Sequence, residues 1–272
     1  MPSVLITGCS SGFGELAALT FARNGWRVIA TMRTPGASTA LDDAGIEQLP
    51  LDVCDMQSVQ AAVDEAIGRC GRLDAVVNNA GIEVFGAVHL LSDDEIHRQL
   101  DTNVTGVMRV VRAVVPHFLA HDGGTIVNVG SVAGFVGAPY SGLYAASKHA
   151  VEALSEALHF ELSQRGVRVR VVEPGQFATQ LGAKSVHAAA MTPDTPDFDR
   201  FQRFRAAQRR LVNGEPADPQ VVADAIYRAS TEEPGRLRHV VGADAELIVS
   251  TKSSMSFEDF DTTMRTVLDW HE

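Results

Sequence analysis

Ser3-Val4-Leu5-Ile6-Thr7 followed by Gly8-Cys9-Ser10-Ser11-Gly12-Phe13-Gly14 decides the fold of this chain. Residues 3–7 read as a buried strand, and a helical pattern runs from about 13 to 24. Gly25 closes that helix, as glycines do past helix ends. Arg27-Val28-Ile29-Ala30-Thr31 supplies a second strand. Strand, glycine turn, helix and strand form the unit that binds a dinucleotide. Its glycines let the backbone approach a pyrophosphate, and the helix N-terminus offers N–H groups and a positive dipole. The spacing is Gly-x-x-x-Gly-x-Gly rather than Gly-x-Gly-x-x-Gly. Gly8-Cys9-Ser10-Ser11-Gly12 also fits Gly-x-Ser-x-Gly, the nucleophile elbow of hydrolases, so a serine hydrolase using Ser10 competes. Against it, the elbow would lie on the first strand, and no downstream Asp and His stand out as partners.

Further along, the pattern repeats. Residues 46–51 look like a third strand ending in Asp52-Val53. Asp52 could accept from an adenine amino group or cap the helix over 57–70. Leu73 to Val77 is a fourth strand, running into Asn78-Asn79-Ala80-Gly81, a tight turn expected to offer free backbone amides beside a cofactor. A long helical pattern spans 93–120 from the Ser92 cap and its acids. Asn103 lies inside it among valines and needs polar partners there. It either holds water near a proton relay or bonds a neighbouring loop. His117 and His121 close this helix and read as structural rather than metal-binding. Gly124–Val129 is a fifth strand, with Ser131 at its carboxyl end, where open α/β sheets place ligands. Residues 143–165 form a helix and 168–172 a sixth strand.

Tyr144-Ala145-Ala146-Ser147-Lys148 puts a phenol and an ammonium on one face of that helix. The chain has three Tyr, and Arg supplies 20 of its 23 basic residues, so a Lys here departs from its habit. A Tyr hydroxyl titrates near pH ~10 in water; lowering it to about 7 takes about 4 kcal/mol of phenolate stabilisation, the scale of one nearby cation. A Tyr so tuned is a general acid/base. Ser131 precedes Tyr144 by one loop, so Ser131, Tyr144 and Lys148 can converge.

Arg33 follows the second strand. An acid at that strand end would bond the ribose hydroxyls and select NAD. Thr31 stands there instead, with no carboxylate nearby until Asp42. A guanidinium at 33, helped by the Ser11 hydroxyl, suits a 2′-phosphate, so NADP(H) is expected over NAD(H).

Composition narrows the partners. The 272 residues carry a net charge of −11, which argues against nucleic acid and anionic membrane surfaces. Cys9, Cys54 and Cys70 are too few and too odd for a disulfide framework, pointing to a reducing compartment. No leader pattern precedes the first strand and no apolar run reaches ~18 residues, so a cytoplasmic protein without a membrane span or metal site is expected.

Taken together, Thr7-Gly8-Cys9-Ser10-Ser11-Gly12-Phe13-Gly14, Asp52, Asn78-Asn79-Ala80-Gly81, Asn103, Ser131, Tyr144-x-x-x-Lys148 and Pro174-Gly175 resemble the short-chain dehydrogenase/reductase family in its compact branch. The resemblance covers about 3–180 strongly. It implies a doubly wound fold of about seven parallel strands and a tetrad of Asn103, Ser131, Tyr144 and Lys148. Tyr144 would exchange the proton, Ser131 orient the reacting oxygen, Lys148 bond the nicotinamide ribose and lower the Tyr144 pKa, and Asn103 hold the relay water. Ser10, Phe13, Val53, Ala80 and Gly81 would line the cofactor site with the motif residues already named. Pro174, Gly175, Phe177 and Thr179 would sit against its carboxamide and diphosphate. Phe177 departs from the smaller aliphatic residue common there, and Gly130 replaces the first of two serines often seen before the active one. The wording around the glycine turn and Arg33 is similar to the 17β-hydroxysteroid and retinol dehydrogenase subgroup and NADP-linked carbonyl reductases. That implies an apolar ketone, aldehyde or alcohol as substrate. Relatives assemble as homodimers or homotetramers, through the helices containing Asn103 and Tyr144. A non-catalytic nucleotide-sensing protein on the same scaffold is the alternative.

Residues 180–216 break the pattern and read as a substrate loop within one domain spanning 1–272. Its Phe198, Phe201 and Phe204 either line the pocket or pack against the body, and its arginines form a solvated face or greet an acidic substrate. A helix near 218–230, a strand near 238–241 and a helix near 256–269 finish the chain.

Overall fold

The computed structural model describes residues 1–177, 186–211, 217–233 and 235–270. Strands β1 (Ser3–Thr7), β2 (Arg27–Met32), β3 (Glu47–Pro50), β4 (Ala75–Asn78), β6 (Gly124–Val129), β7 (Val167–Pro174) and β9 (Arg238–Val241) form one seven-stranded sheet. Its order is β3-β2-β1-β4-β6-β7-β9, and every neighbouring pair is parallel. A parallel strand needs a crossover to its neighbour, and helices supply it, covering both faces.

Alternate strand residues serve the two faces. Val4, Ile6, Val28, Ala30, Ala75, Val77 and Val127 pack under α1 (Gly12–Arg23) and a later helix, α8 (Gln220–Thr231). Leu5, Ile29, Val76, Ile126 and Val169 pack under α3 (Met56–Cys70), α5 (Gly106–Ala120) and α6 (Gly142–Leu162). A short α2 (Thr39–Asp43) precedes β3.

Three departures from the sequence reading follow from physical causes. The long helix over 93–120 is α4 (Asp93–Leu100), a π-turn over Asp101–Thr105, then α5. Helical periodicity runs through such a turn, so the pattern alone hides it. The Ser92–Glu95 capping box is present. Strands β5 (Val84–Phe85) and β8 (Val186–His187) pair as a separate ribbon, too short to leave an alternating signal. Helix α9 (Ala243–Ser254) buries little beyond Ala245 and so shows no apolar stripe. Helix α7 (Pro196–Leu211) and α10 (Phe257–Leu268) stand where helices are expected.

In α7, Phe201 and Phe204 are buried, and both are packing residues. Phe201 joins Phe85, Met191 and Ala188, and Phe204 joins Leu268 and Trp270. Arg205 lies over the Phe85 ring, 4.4 Å from its centroid.

Candidate active site

The carboxyl ends of β1, β4, β6 and β7 converge where the chain leaves β1 for β2 on one side and β4 takes the other. That crossover is where open α/β sheets form a crevice. The glycine turn occupies it. Gly8 and Gly12 have φ of +74° and +64°, a region costly for residues with a Cβ. A Cβ on Gly14 would fall 2.6 Å from the Gly8 carbonyl oxygen, so the first turn of α1 lies directly on the loop.

Asn79 and Ala80 do not offer free amides, contrary to expectation. Both N–H groups donate to Thr7 Oγ1, at 3.0 and 3.1 Å. The Asn79 side-chain amide donates to the carbonyls of Thr7 and Gly8, at 2.8 and 3.1 Å. The Asn-Asn-Ala-Gly turn is therefore a strut under the glycine loop. Cys9 points into the core, where burial pushes its thiol up to about 12 and leaves it inert.

Beside this turn lies a cavity of about 400 Å³ lined by Ser10, Ser11, Glu15, Met32, Arg33 and Thr34, with Ala37, Ser38 and Thr39 closing it. Arg33 and Ser11 both line it. Glu15 was missed, because it comes from α1 rather than the end of β2. Its carboxylate accepts a hydrogen bond from Ser38 Oγ. Thr31 turns away and donates its hydroxyl to the Ile6 carbonyl. No histidine lines the cavity, so Ser10 has no base there for hydrolase chemistry.

Asp52 does not cap α3; Asp55 does, accepting from Gln57 N–H at 2.8 Å. Asp52 Oδ1 accepts from Cys54 N–H instead. Val53 buries its side chain in the core beneath α3 and α5, where a Cβ on Gly106 would lie 2.9 Å from Val53 Cβ.

The second cluster brings together the four residues of the expected tetrad. Asn103 sits in the π-turn, buried, where its Oδ1 accepts from Ile82 N–H at 2.9 Å. Its Nδ2 donates to the Ile82 carbonyl at 2.9 Å and to Ser147 Oγ at 3.0 Å. The amide is thus bonded to the segment after Gly81, whose missing Cβ leaves room for it. Ser131, at the end of β6, accepts from Ala133 N–H at 3.1 Å and donates to the Pro174 carbonyl at 3.5 Å, and its hydroxyl is near enough to the Tyr144 phenol to favour the phenolate. Lys148 is buried, donates to the Val129 carbonyl at 2.7 Å, and places Nζ 5.6 Å from the Tyr144 ring centroid. Ser131, Tyr144 and Lys148 therefore converge.

Their electrostatics differ from the expectation. The Tyr144 phenol is pushed up, not down, first by burial and then by the charge of Glu83, with the Ser131 hydroxyl pulling the other way. Lys148 is lowered to about 8 by burial, while Glu152 and Glu83 oppose the fall. Glu83 is the residue sequence reasoning missed. It follows the Asn-Asn-Ala-Gly turn and accepts a hydrogen bond from Ser141 Oγ at the start of α6. Burial raises its own carboxyl.

The turn after β7 completes the crevice. Gly175 N–H donates to the Val241 carbonyl, and Gln176 N–H donates to Asp244 Oδ2 at 2.7 Å. Any side chain at Gly175 would collide with that carboxylate. Phe177 meets Phe13 edge-on, ring centroids 5.9 Å apart, so its larger ring closes against the glycine turn. Thr179 lies outside the described residues. His117 Nε2 accepts from Leu73 N–H at 3.0 Å and its ring stacks on His121, which is a structural role.

A glycine loop that Cβ atoms would fill and an adjoining polar cavity fit a nicotinamide dinucleotide. Known proteins agree. Residues 2–190 match the family described as short chain dehydrogenase. A 3-ketodihydrosphingosine reductase of Bacteroides thetaiotaomicron is 33% identical over 92% of this chain and 91% of its own. A human 17-beta-hydroxysteroid dehydrogenase type 1 is 33% identical over 87% and 76%. Among solved structures, a short-chain dehydrogenase/reductase from Burkholderia phymatum in complex with NAD superposes with a TM-score of 0.80, at 27% identity over 96% of this chain and 95% of that one. A Burkholderia cenocepacia gluconate 5-dehydrogenase with NADP gives 0.74, at 25% identity over 90% and 95%. The chain belongs to the short-chain dehydrogenase/reductase family and is an NAD(P)-dependent oxidoreductase.

Proposed function

We propose that this enzyme interconverts an apolar alcohol and its ketone or aldehyde with NADP(H), using Tyr144 as general acid/base. The observation that carries the reading is the convergence of the Ser131 hydroxyl and the Lys148 ammonium on Tyr144. Bound nicotinamide supplies or accepts the hydride. Ser131 Oγ orients the reacting oxygen, and Tyr144 Oη gives it a proton in reduction or takes one in oxidation. Lys148 stabilises the phenolate left after donation and bonds the nicotinamide ribose. Both Asn103 side-chain N–H groups are bonded to Ile82 and Ser147, so a relay water that returns the proton would donate to the second lone pair of its Oδ1. A phenol kept protonated by burial starts as the proton donor that carbonyl reduction needs.

The glycine turn and the Pro174-Gly175 turn would hold the dinucleotide, with Asp52 toward the adenine. Arg33 and the Ser11 hydroxyl support a 2′-phosphate, while Ser38 donates its own hydroxyl proton to Glu15. Of the substrate loop expected over 180–216, the described residues 186–211 would form the cover of a single domain. The cluster of Phe85, Met191, Phe201 and Tyr140 fixes α7 on the body, and the sphingoid and steroid names of the two relatives support an apolar substrate. The two relatives, a 3-ketodihydrosphingosine reductase and a 17-beta-hydroxysteroid dehydrogenase, support a keto or hydroxy group as the reacting centre. Three free cysteines support a cytoplasmic setting. Among the described residues no helix is long and apolar enough to cross a membrane. The exposed Phe160 on α6 supports pairing of two copies through α5 and α6.

The test is turnover of NADPH and NADH with a panel of apolar ketones and aldehydes. The expected result is NADPH oxidation by wild type and none above background by Tyr144→Phe. Retained turnover in Tyr144→Phe would remove the mechanism.

A further inference from the structure

Behind the active site lies a group of charges that the proposed chemistry does not use. Glu173, on β7, is wholly buried, and neither of its carboxyl oxygens has a hydrogen-bond donor among the described residues. Glu152, on α6, is buried too, and its Oε1 is likewise without a donor. The nearby cation is Arg238 on β9. Its Nε lies 3.0 Å from Glu152 Oε2 and 3.6 Å from Glu173 Oε1, while its Nη2 is drawn off to Glu156 at 3.0 Å. One guanidinium therefore faces three carboxylates, two of them buried.

Two ionised carboxylates cannot share such a site cheaply, because burial and mutual repulsion both oppose the second charge. One proton resolves this. A neutral carboxylic acid gains an O–H donor, and the orphaned oxygens become a donor and its acceptor. Glu173 is the member that keeps the proton, since its carboxyl is raised by burial and by the Glu152 charge.

The pair reaches the active site through α6. Glu152 is one turn beyond Lys148 on the same helix face. Lys148 Nζ bonds the Val129 carbonyl, and Glu152 Oε1 lies against the next residue, 2.9 Å from where a Gly130 Cβ would stand. Glu152 Cγ lies 2.9 Å from the corresponding point on Gly134. The two glycines flanking Ser131 thus make room for the Glu152 side chain. Around Lys148 the charged or titratable groups are Glu152, Glu83 and Tyr144; around Glu173 they are Glu152 and Arg238, with Glu156 on the far side of Arg238.

We propose that Glu152 and Glu173 share one proton as a buried acid pair, and that the charge left on Glu152 is a positioning element that keeps Lys148 cationic. This rests on the reading of Lys148 as the cation beside Tyr144. Glu152 and Glu173 touch no reacting atom in this scheme; they act through Lys148.

Infrared difference spectroscopy of the full chain tests the pair directly. Wild type at neutral pH shows the carbonyl stretch of a protonated, buried carboxylic acid, and Glu173→Gln loses it. Arg238→Gln holds the proton more tightly, so the band persists to higher pH than in wild type. The kinetic arm uses the basic limb of the kcat/KM profile. Glu152→Gln moves that limb down by about one pH unit, a tenfold change in the ratio of charged to neutral Lys148. Glu173→Gln, which mimics the neutral acid, leaves the limb in place. Absence of the band from wild type, or its survival in Glu173→Gln, overturns the shared proton. An unmoved limb in folded Glu152→Gln overturns the link to Lys148. Should Glu152→Gln not fold, Glu152→Asp keeps the charge and must keep the limb; a limb displaced there sinks the link equally. These results are separable from the Tyr144→Phe assay, whose failure would remove the mechanism without touching the infrared band.

Discussion

Glu83 adds to burial in setting how the phenol at 144 behaves. It sits beside Ser141 at the start of α6, and its charge raises Tyr144 after burial has already done so. The same charge supports Lys148 against its own burial. Glu83→Gln should therefore move both titrations downward. Ultraviolet titration of the phenolate, with Tyr144→Phe as the blank, should show Tyr144 ionising at lower pH in the variant; an unchanged titration would mean that burial alone sets the shift. The convergence of Tyr144, Lys148 and Ser131 was legible because the phenol and ammonium share a helix face and Ser131 ends a strand. The direction of the Tyr144 shift was not, because it depends on burial and on Glu83, neither of which a local motif reports. Arg33 poses a similar residue-scale question. A charge-assisted hydrogen bond contributes about 1.5–3 kcal/mol, so Arg33→Ala should weaken NADPH binding roughly ten- to hundredfold while NADH binding stays near wild type. Calorimetric titration with each cofactor checks this; unchanged NADPH affinity would assign Arg33 to the solvent, and equal losses for both would assign it to a part that the two cofactors share.

At the scale of elements, the glycine turn is held by β4 as much as by its own sequence. Thr7 Oγ1 receives two amides from the strut, and Asn79 grips the Thr7 and Gly8 carbonyls. Gly8 combines a φ of +74° with a Cβ position 2.8 Å from the Ala80 Cα, which is backbone and cannot swing away. Gly8→Ala should cost about 1–2 kcal/mol from the backbone conformation alone, plus the collision, and should lower both the melting temperature and cofactor affinity. A variant with wild-type melting would show that the strut yields. Strand, turn and helix were readable here because a parallel sheet buries both faces and leaves an unbroken apolar run. The strut's role was not readable, since its partners lie 71 to 73 residues away. The π-turn escaped for a different reason: one extra residue in a turn leaves the apolar stripe of α4 and α5 nearly continuous. That extra residue is what aims Asn103 at Ile82 and Ser147. In the cover, Phe201 packs with Phe85 and Tyr140. Phe201→Ala should destabilise by about 3–5 kcal/mol if α7 is docked throughout unfolding. Thermal melts measure it, and a loss below ~1 kcal/mol would show α7 opening before the body does.

For the molecule as a whole, the acid pair couples folding to pH. Unfolding exposes Glu173 to water, where it ionises in the ordinary carboxylate range, near 4.5. In the folded chain its proton is retained well above that value, so the native state binds more protons than the unfolded state across the interval. Stability from this group is full below the unfolded pKa and declines as pH rises toward the folded one. Lys148 works in the opposite sense and at higher pH. Its folded value of about 8 lies below the unfolded 10.5, so the unfolded state binds more protons there and stability rises between them. The two windows are offset, with the decline from Glu173 coming first and the gain from Lys148 later. Glu173→Gln abolishes the first while keeping the second. Urea midpoints measured from pH 5 to 8 should therefore fall more steeply in wild type than in Glu173→Gln, because the amide stays neutral in both states. Parallel curves would mean that Glu173 is ionised in the folded protein, leaving two buried charges to one guanidinium.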